Sequence, residues 1–192
     1  KRMDSNLKKV SMNYIIVSDI FGLTAPLVRL LDIMQANTEV IDPYKGELQP
    51  IDSEKYYYNK FINDCGHDNY VAKLLNVFNN LTEPTACIGF SAGASAAWRA
   101  QLLTGNPHLK KLIGFYPSQI RNHLDIAAKV PCTFIFPHTE MHFNVDEVIS
   151  TLASKSQVTC NKTPFLHGFM NAYSTNYNVK AYDEYCALIK ST

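Results

Sequence analysis

The sequence predicts an open, doubly wound α/β fold: a mainly parallel sheet of about six strands, in the order 2-1-3-4-5-6, with helices on both faces. Three observations point there. Short β-branched and aromatic runs such as TACIGF (85–90) and CTFIF (132–136) are apolar throughout, as strands buried on both faces must be. These runs alternate with longer, helix-periodic stretches, the pattern of βαβ units. Right-handed crossovers then leave few topologies.

Residues 14–20 (YIIVSDI) read as the first strand and 25–36 (APLVRLLDIMQA) as the first helix. A second strand lies at 39–42. Residues 43–67 are polar, tyrosine-rich and without a clear period; they read as a small lid or pocket wall, or as a packed surface loop. A helix over 69–81 leads to the strand 85–90, and a small apolar helix spans 92–103. Strands follow at 111–116 and 132–136, then a helix at 145–154, a strand at 157–160 and a closing helix at 178–190. Trp98 sits two turns into its helix among small apolar neighbours and reads as core.

The chain has 192 residues, one domain's worth (1–192), and no repeats. It is 46% hydrophobic, 11% aromatic and 18% charged, which excludes general disorder. Eighteen Lys and Arg against 17 Asp and Glu leave a net charge of +1, so no nucleic-acid partner is expected. The five cysteines form no CxxC pair and read as reduced thiols in a cytoplasmic protein, Cys87 and Cys132 as small hydrophobes inside strands. Lys1, Arg2, Lys8 and Lys9 before an apolar stretch mimic a secretory leader, but Asp19, Arg29 and Asp32 interrupt it. A leader needs about 7–15 unbroken apolar residues and a span about 20, so no membrane association is expected.

The topology locates a site before any motif is consulted. Ligands of open α/β sheets bind beyond the carboxyl ends of the strands, where the strand order reverses. With the order 2-1-3, the loops after the first strand (Asp19-Ile20-Phe21-Gly22) and the third (Gly89-Phe90-Ser91-Ala92-Gly93) face each other there. The second loop is G-F-S-A-G between a strand and a helix, the nucleophile-elbow pattern. The chain must turn so sharply that residues two positions either side of Ser91 have no room for a side chain, hence Gly89 and Gly93. Ser91 at a helix N-terminus also meets free N–H groups suited to developing negative charge.

A serine nucleophile needs a base, and the base an orienting acid, in this fold in the chain order Ser, acid, His. Of six histidines only His167 follows the last strand. Glu140 and Asp146 follow the strand 132–136; Asp146 opens a helix, so Glu140 is the expected acid. The oxyanion hole would use the N–H of Ala92 and one from Ile20 or Phe21, with Gly22 bending the loop inward. His138, Glu140 and His142 share a face if extended, but Pro137 ends the strand and no fourth ligand is evident; no metal or cofactor is expected.

Taken together, V-S-D-I-F-G-L (17–23), I-D-P-Y (41–44), G-F-S-A-G (89–93), F-Y-P (115–117) and H-G-F-M-N (167–171) resemble the dienelactone hydrolase branch of the α/β-hydrolases, from about residue 14 to about 190. The resemblance implies a minimal α/β-hydrolase with the triad Ser91, Glu140 and His167 and the oxyanion donors Ile20 and Ala92. It places Asp19 where the family usually has a glutamate beside the nucleophile. The chain departs from dienelactone hydrolases proper in having Ser91 for their cysteine, and Asn171 for the arginine that holds the substrate carboxylate; Arg121 is the alternative cation. The expected activity is cleavage of small esters or lactones through an acyl-enzyme, by a monomer or homodimer acting on a small molecule. A thioesterase or amidase with the same machinery, or a non-catalytic binding protein of this fold, are the alternatives.

Overall fold

A computed structural model describes residues 11–192; Lys1, Arg2, Lys8 and Lys9 lie outside the described residues. Six strands form one parallel sheet: β1 Asn13–Val17, β2 Thr38–Ile41, β3 Thr85–Phe90, β4 Leu109–Phe115, β5 Cys132–Phe136 and β6 Val158–Lys162. Their order is β2-β1-β3-β4-β5-β6, as the sequence predicts, and every neighbouring pair is parallel. The helices are α1 Ala25–Met34, α2 Glu54–Asp64, α3 His67–Asn79, α4 Ala92–Leu103, α5 Val145–Ala153 and α6 Val179–Lys190. A 3-10 turn at Ser118–Asn122, which the sequence does not announce, follows β4.

The strands are apolar throughout because successive side chains enter different cores. Ile15, Val17, Cys87, Leu112 and Phe134 pack with α2, α3, α4 and α5. Ile16, Ile88, Ile113, Phe115 and Ile135 pack with α1 and α6. Every residue of β3 is buried. The helix after it, α4, is built of alanine, glycine and serine along most of its length, which lets it lie close against the sheet. Trp98 is its one aromatic side chain, wholly buried, edge-on to Phe134 and donating its Nε1 proton to the His123 carbonyl.

Two sequence expectations need correction. Residues 43–67 are not irregular. They contain α2, capped by Ser53, whose hydroxyl accepts from Tyr56 N–H, and the helix buries Tyr57 and Phe61 completely. His67, placed by the sequence in a loop, opens α3. The first strand is also shorter than expected. It ends at Val17, because Ser18 to Phe21 turn away from the sheet: Phe21 N–H donates to Asp19 Oδ1 at 2.9 Å and Gly22 N–H to the Asp19 carbonyl.

Among the described residues no helix is long and apolar enough to cross a membrane. All five cysteines are free, and burial raises the pKa of each, to about 12 for Cys132.

Candidate active site

The site forms at the carboxyl ends of β1 and β3, which are hydrogen-bonded neighbours with Val17 opposite Gly89. At the end of β3 the chain reverses through Ser91 with φ 51° and ψ −114°, a left-handed backbone that an L-residue adopts only under constraint. The constraint is the approach of α4 to the sheet. A Cβ on Gly93 would lie 2.4 Å from the Val17 carbonyl oxygen, and one on Gly89 2.6 Å from Ala94 Cα. Both neighbours are backbone and cannot swing aside. The turn leaves the Ser91 side chain half-buried at the mouth of the site.

His167 lies beyond β6 in a loop anchored by two buried neighbours, Phe169 and Met170. Asn176 Nδ2 donates to the His167 carbonyl at 2.8 Å and holds the loop from outside. Under the imidazole lies Tyr116, its ring centroid 4.8 Å away. His167 Nε2 is 2.9 Å from Ser91 Oγ, and Nδ1 is 2.6 Å from Glu140 Oε1. The structure thus joins Ser91, His167 and Glu140 in one hydrogen-bonded chain. Asp146 is elsewhere, in an exposed ion pair with Lys162. His138 and His142 do not join Glu140 in a cluster; among the described residues no group of three or more His, Cys, Asp or Glu could hold a metal ion.

The donors around Ser91 sort themselves by partner. Ala92 begins α4, so its N–H has no carbonyl a turn earlier in the helix to bond. Phe21 N–H is already committed to Asp19. Ile20 N–H has no hydrogen-bond acceptor among the described residues. Its loop is held by the Tyr44 hydroxyl, which donates to the Ile20 carbonyl at 2.5 Å. Gly22 takes φ 74° there, and any side chain on it would strike the Tyr44 ring at 2.6 Å.

Asp19 is the group that sequence reasoning placed without a partner. Its Oδ2 accepts from Asn171 Nδ2 at 2.8 Å, bridging the loop after β1 to the loop carrying His167. Asp19 meets solvent only in part. Enclosure by protein raises its pKa from 3.8 to about 6; the hydrogen bonds from Asn171 and Phe21 and the neighbouring His167 pull it down more weakly, and Glu54 pushes it up. Arg121, the alternative cation of the sequence reading, donates to the Ser118 carbonyl and covers the Phe143 ring. Beside Asp19 opens a cavity between α1 and α6, about 360 Å³ counted to its mouth, lined by Leu27, Leu30, Phe90, Tyr116 and Met170 among others.

No protein-family model matches the chain. It is 26% identical over 184 residues to the uncharacterized protein YczH of Bacillus subtilis (strain 168), across 92% of this chain and 90% of that one. It is similar in structure to the dienelactone hydrolase of Anabaena variabilis (TM-score 0.64, 10% identity, 96% of this chain and 86% of that one). It is also similar to the esterase PE8 (TM-score 0.59, 16% identity, 95% and 93%). The chain shares its fold with proteins described as a hydrolase of the alpha/beta superfamily and as dienelactone hydrolase or dienelactone hydrolase-like.

Proposed function

We propose that the protein is a serine hydrolase that cleaves small esters or lactones through an acyl-enzyme intermediate. The observation that carries this reading is the hydrogen-bonded chain from Ser91 Oγ through His167 to Glu140, with Ser91 on a strained turn at a helix N-terminus. Ser91 Oγ attacks the ester carbonyl as His167 Nε2 takes its proton. Glu140 holds the imidazole by Nδ1 and stabilises its positive charge. The N–H groups of Ala92 and Ile20 receive the oxyanion, each donor contributing on the order of 3 kcal/mol to the transition state. The imidazolium then gives its proton to the leaving alkoxide. Water, activated by the same imidazole, attacks the acyl carbon and releases the acid and Ser91.

The whole site is built within one domain and the substrate is a small molecule. Five free thiols fit a reducing compartment, and we assign the protein to the cytoplasm. The test is labelling by a fluorophosphonate probe together with hydrolysis of a panel of aryl esters, thioesters and lactones. Labelling at Ser91, lost in Ser91→Ala along with ester hydrolysis, is the expected result. Full hydrolysis by Ser91→Ala, or no labelling of folded protein, overturns the reading.

A further inference from the structure

The cavity beside Asp19 is built for something more specific than bulk. Its walls are largely apolar: Pro26, Leu27 and Leu30 of α1 on one side, Phe90 and Met170 on the other. Neither Ser91 nor His167 lines it, but Tyr116 on its wall packs its ring against His167 at 4.8 Å. Most of the cavity's space is open mouth; the enclosed part holds roughly two or three water-sized groups, a short acyl chain at most.

Most polar side chains on the wall are already engaged. Ser18 donates to the Asp19 carbonyl, Thr24 caps α1 by accepting from Leu27 N–H, and Asn171 bridges to Asp19. Tyr116 is different. It is 1% exposed, and its hydroxyl has no hydrogen-bond partner of good geometry among the described residues. The neighbouring Met170 N–H eases its ionisation. In any case an N–H would leave the phenol's own proton without an acceptor. A buried hydroxyl with an unused proton is costly, and this one is held at φ 38°, a backbone conformation that bulky residues rarely adopt. Charge adds a second constraint. The described residues lining the cavity include no cation, and Asp19 is mostly ionised at neutral pH, so a carboxylate entering the cavity would meet a like charge.

We propose that this cavity is the acyl subsite, that it takes a short uncharged acyl group bearing an ether, keto or hydroxyl oxygen, and that the Tyr116 hydroxyl donates to that oxygen. The proposal rests on the hydrolase reading above and names its substrate class.

Three nitrophenyl esters of matched shape test it: pentanoate, 3-methoxypropanoate and hemiglutarate, each enzymatic kcat/KM normalised to the ester's own alkaline hydrolysis. The wild-type protein is expected to favour methoxypropanoate over pentanoate by about three- to tenfold, the factor one neutral hydrogen bond supplies. It should disfavour the anionic hemiglutarate by at least the same factor. In Tyr116→Phe the ether-to-alkyl ratio falls to about one, whatever the absolute rates. Leu27→Trp, which fills the cavity from α1, should lower the pentanoate-to-acetate ratio and provides the test if Tyr116→Phe does not fold. A wild-type ratio near one with brisk hydrolysis overturns the subsite and leaves the hydrolase reading intact. Faster turnover of hemiglutarate than of pentanoate overturns it too. No hydrolysis of any ester and no fluorophosphonate labelling overturns the hydrolase reading itself, and the acyl assignment with it.

Discussion

Asp19 destabilises the fold it sits in at neutral pH, and the amount is measurable. Its pKa rises from 3.8 to about 6 on folding, chiefly because protein replaces water around the carboxyl. For an acid whose folded pKa is raised, the native state binds the extra proton between those two values. Stability contributed by the neutral form is therefore complete below about pH 4 and is lost as pH rises through 6. A shift of about 2 pKa units corresponds to about 3 kcal/mol at ~1.36 kcal/mol per unit. Because the residue keeps some solvent contact through the cavity, that figure is an upper bound. The perturbation is Asp19→Asn, which cannot ionise. Losing a good acceptor for Asn171 and Phe21 gives the variant a constant offset, but only the wild type carries the pH-dependent loss. Urea unfolding of both proteins from pH 4 to 7.5 should thus show the variant gaining on the wild type by about 2–3 kcal/mol, mostly between pH 4 and 6. A difference that stays flat within about 0.5 kcal/mol refutes the reasoning, since Asp19 would then titrate as an ordinary surface carboxyl.

Other substitutions probe the serine turn, the glutamate beside His167 and the core. Gly93→Ala forces a methyl to 2.4 Å from the Val17 carbonyl oxygen and should cost about 3 kcal/mol or more, lowering Tm by roughly 6–12 °C in calorimetry; a shift under about 2 °C would show that α4 can retreat. Glu140→Gln removes the charge from His167 Nδ1 and should lower kcat about 10²–10⁴-fold in ester hydrolysis while Tm changes little. Trp98→Ala empties a fully buried site and should cost about 3–5 kcal/mol by denaturant unfolding.

The parts of the fold that could be read from the chain are those where one physical cause dominates. β3 announces itself because all six residues are buried, and the elbow because two backbones cannot approach with a side chain between them. The pairing of His167 with Glu140 was legible from their order along the chain. α2 was obscured by its composition: only Tyr57 and Phe61 of EKYYYNKFIND enter the core, and the remaining polar and aromatic residues show no helical stripe. Its signals were local ones, Ser53 as a cap, Glu54 in the first turn and the Lys60–Asp64 pair one turn apart. The bridge from Asp19 to Asn171 joins opposite ends of the chain and has no local signature. Nor has Tyr116, whose backbone is forced into a left-handed conformation where its N–H reaches the Ile135 carbonyl, after β4 has ended.

An all-parallel sheet also dictates the order in which the molecule can assemble. Parallel neighbours cannot be joined by a tight hairpin, so each pairing waits for a crossover to close. The most local is β4 to β5, where Leu112 pairs with Cys132; β3-α4-β4, the unit that holds Ser91, closes over a somewhat longer span, Thr85 to Leu109. β1 must reach across from residue 13 to residue 85 to find its partner on β3, and β6, at the sheet edge, pairs only with β5. During synthesis from the amino terminus, the strained serine turn can therefore exist before the histidine that faces it has left the ribosome. Regain of activity on refolding would then report arrival of the carboxyl-terminal third, whereas fluorescence of the single tryptophan, on α4, would report the centre.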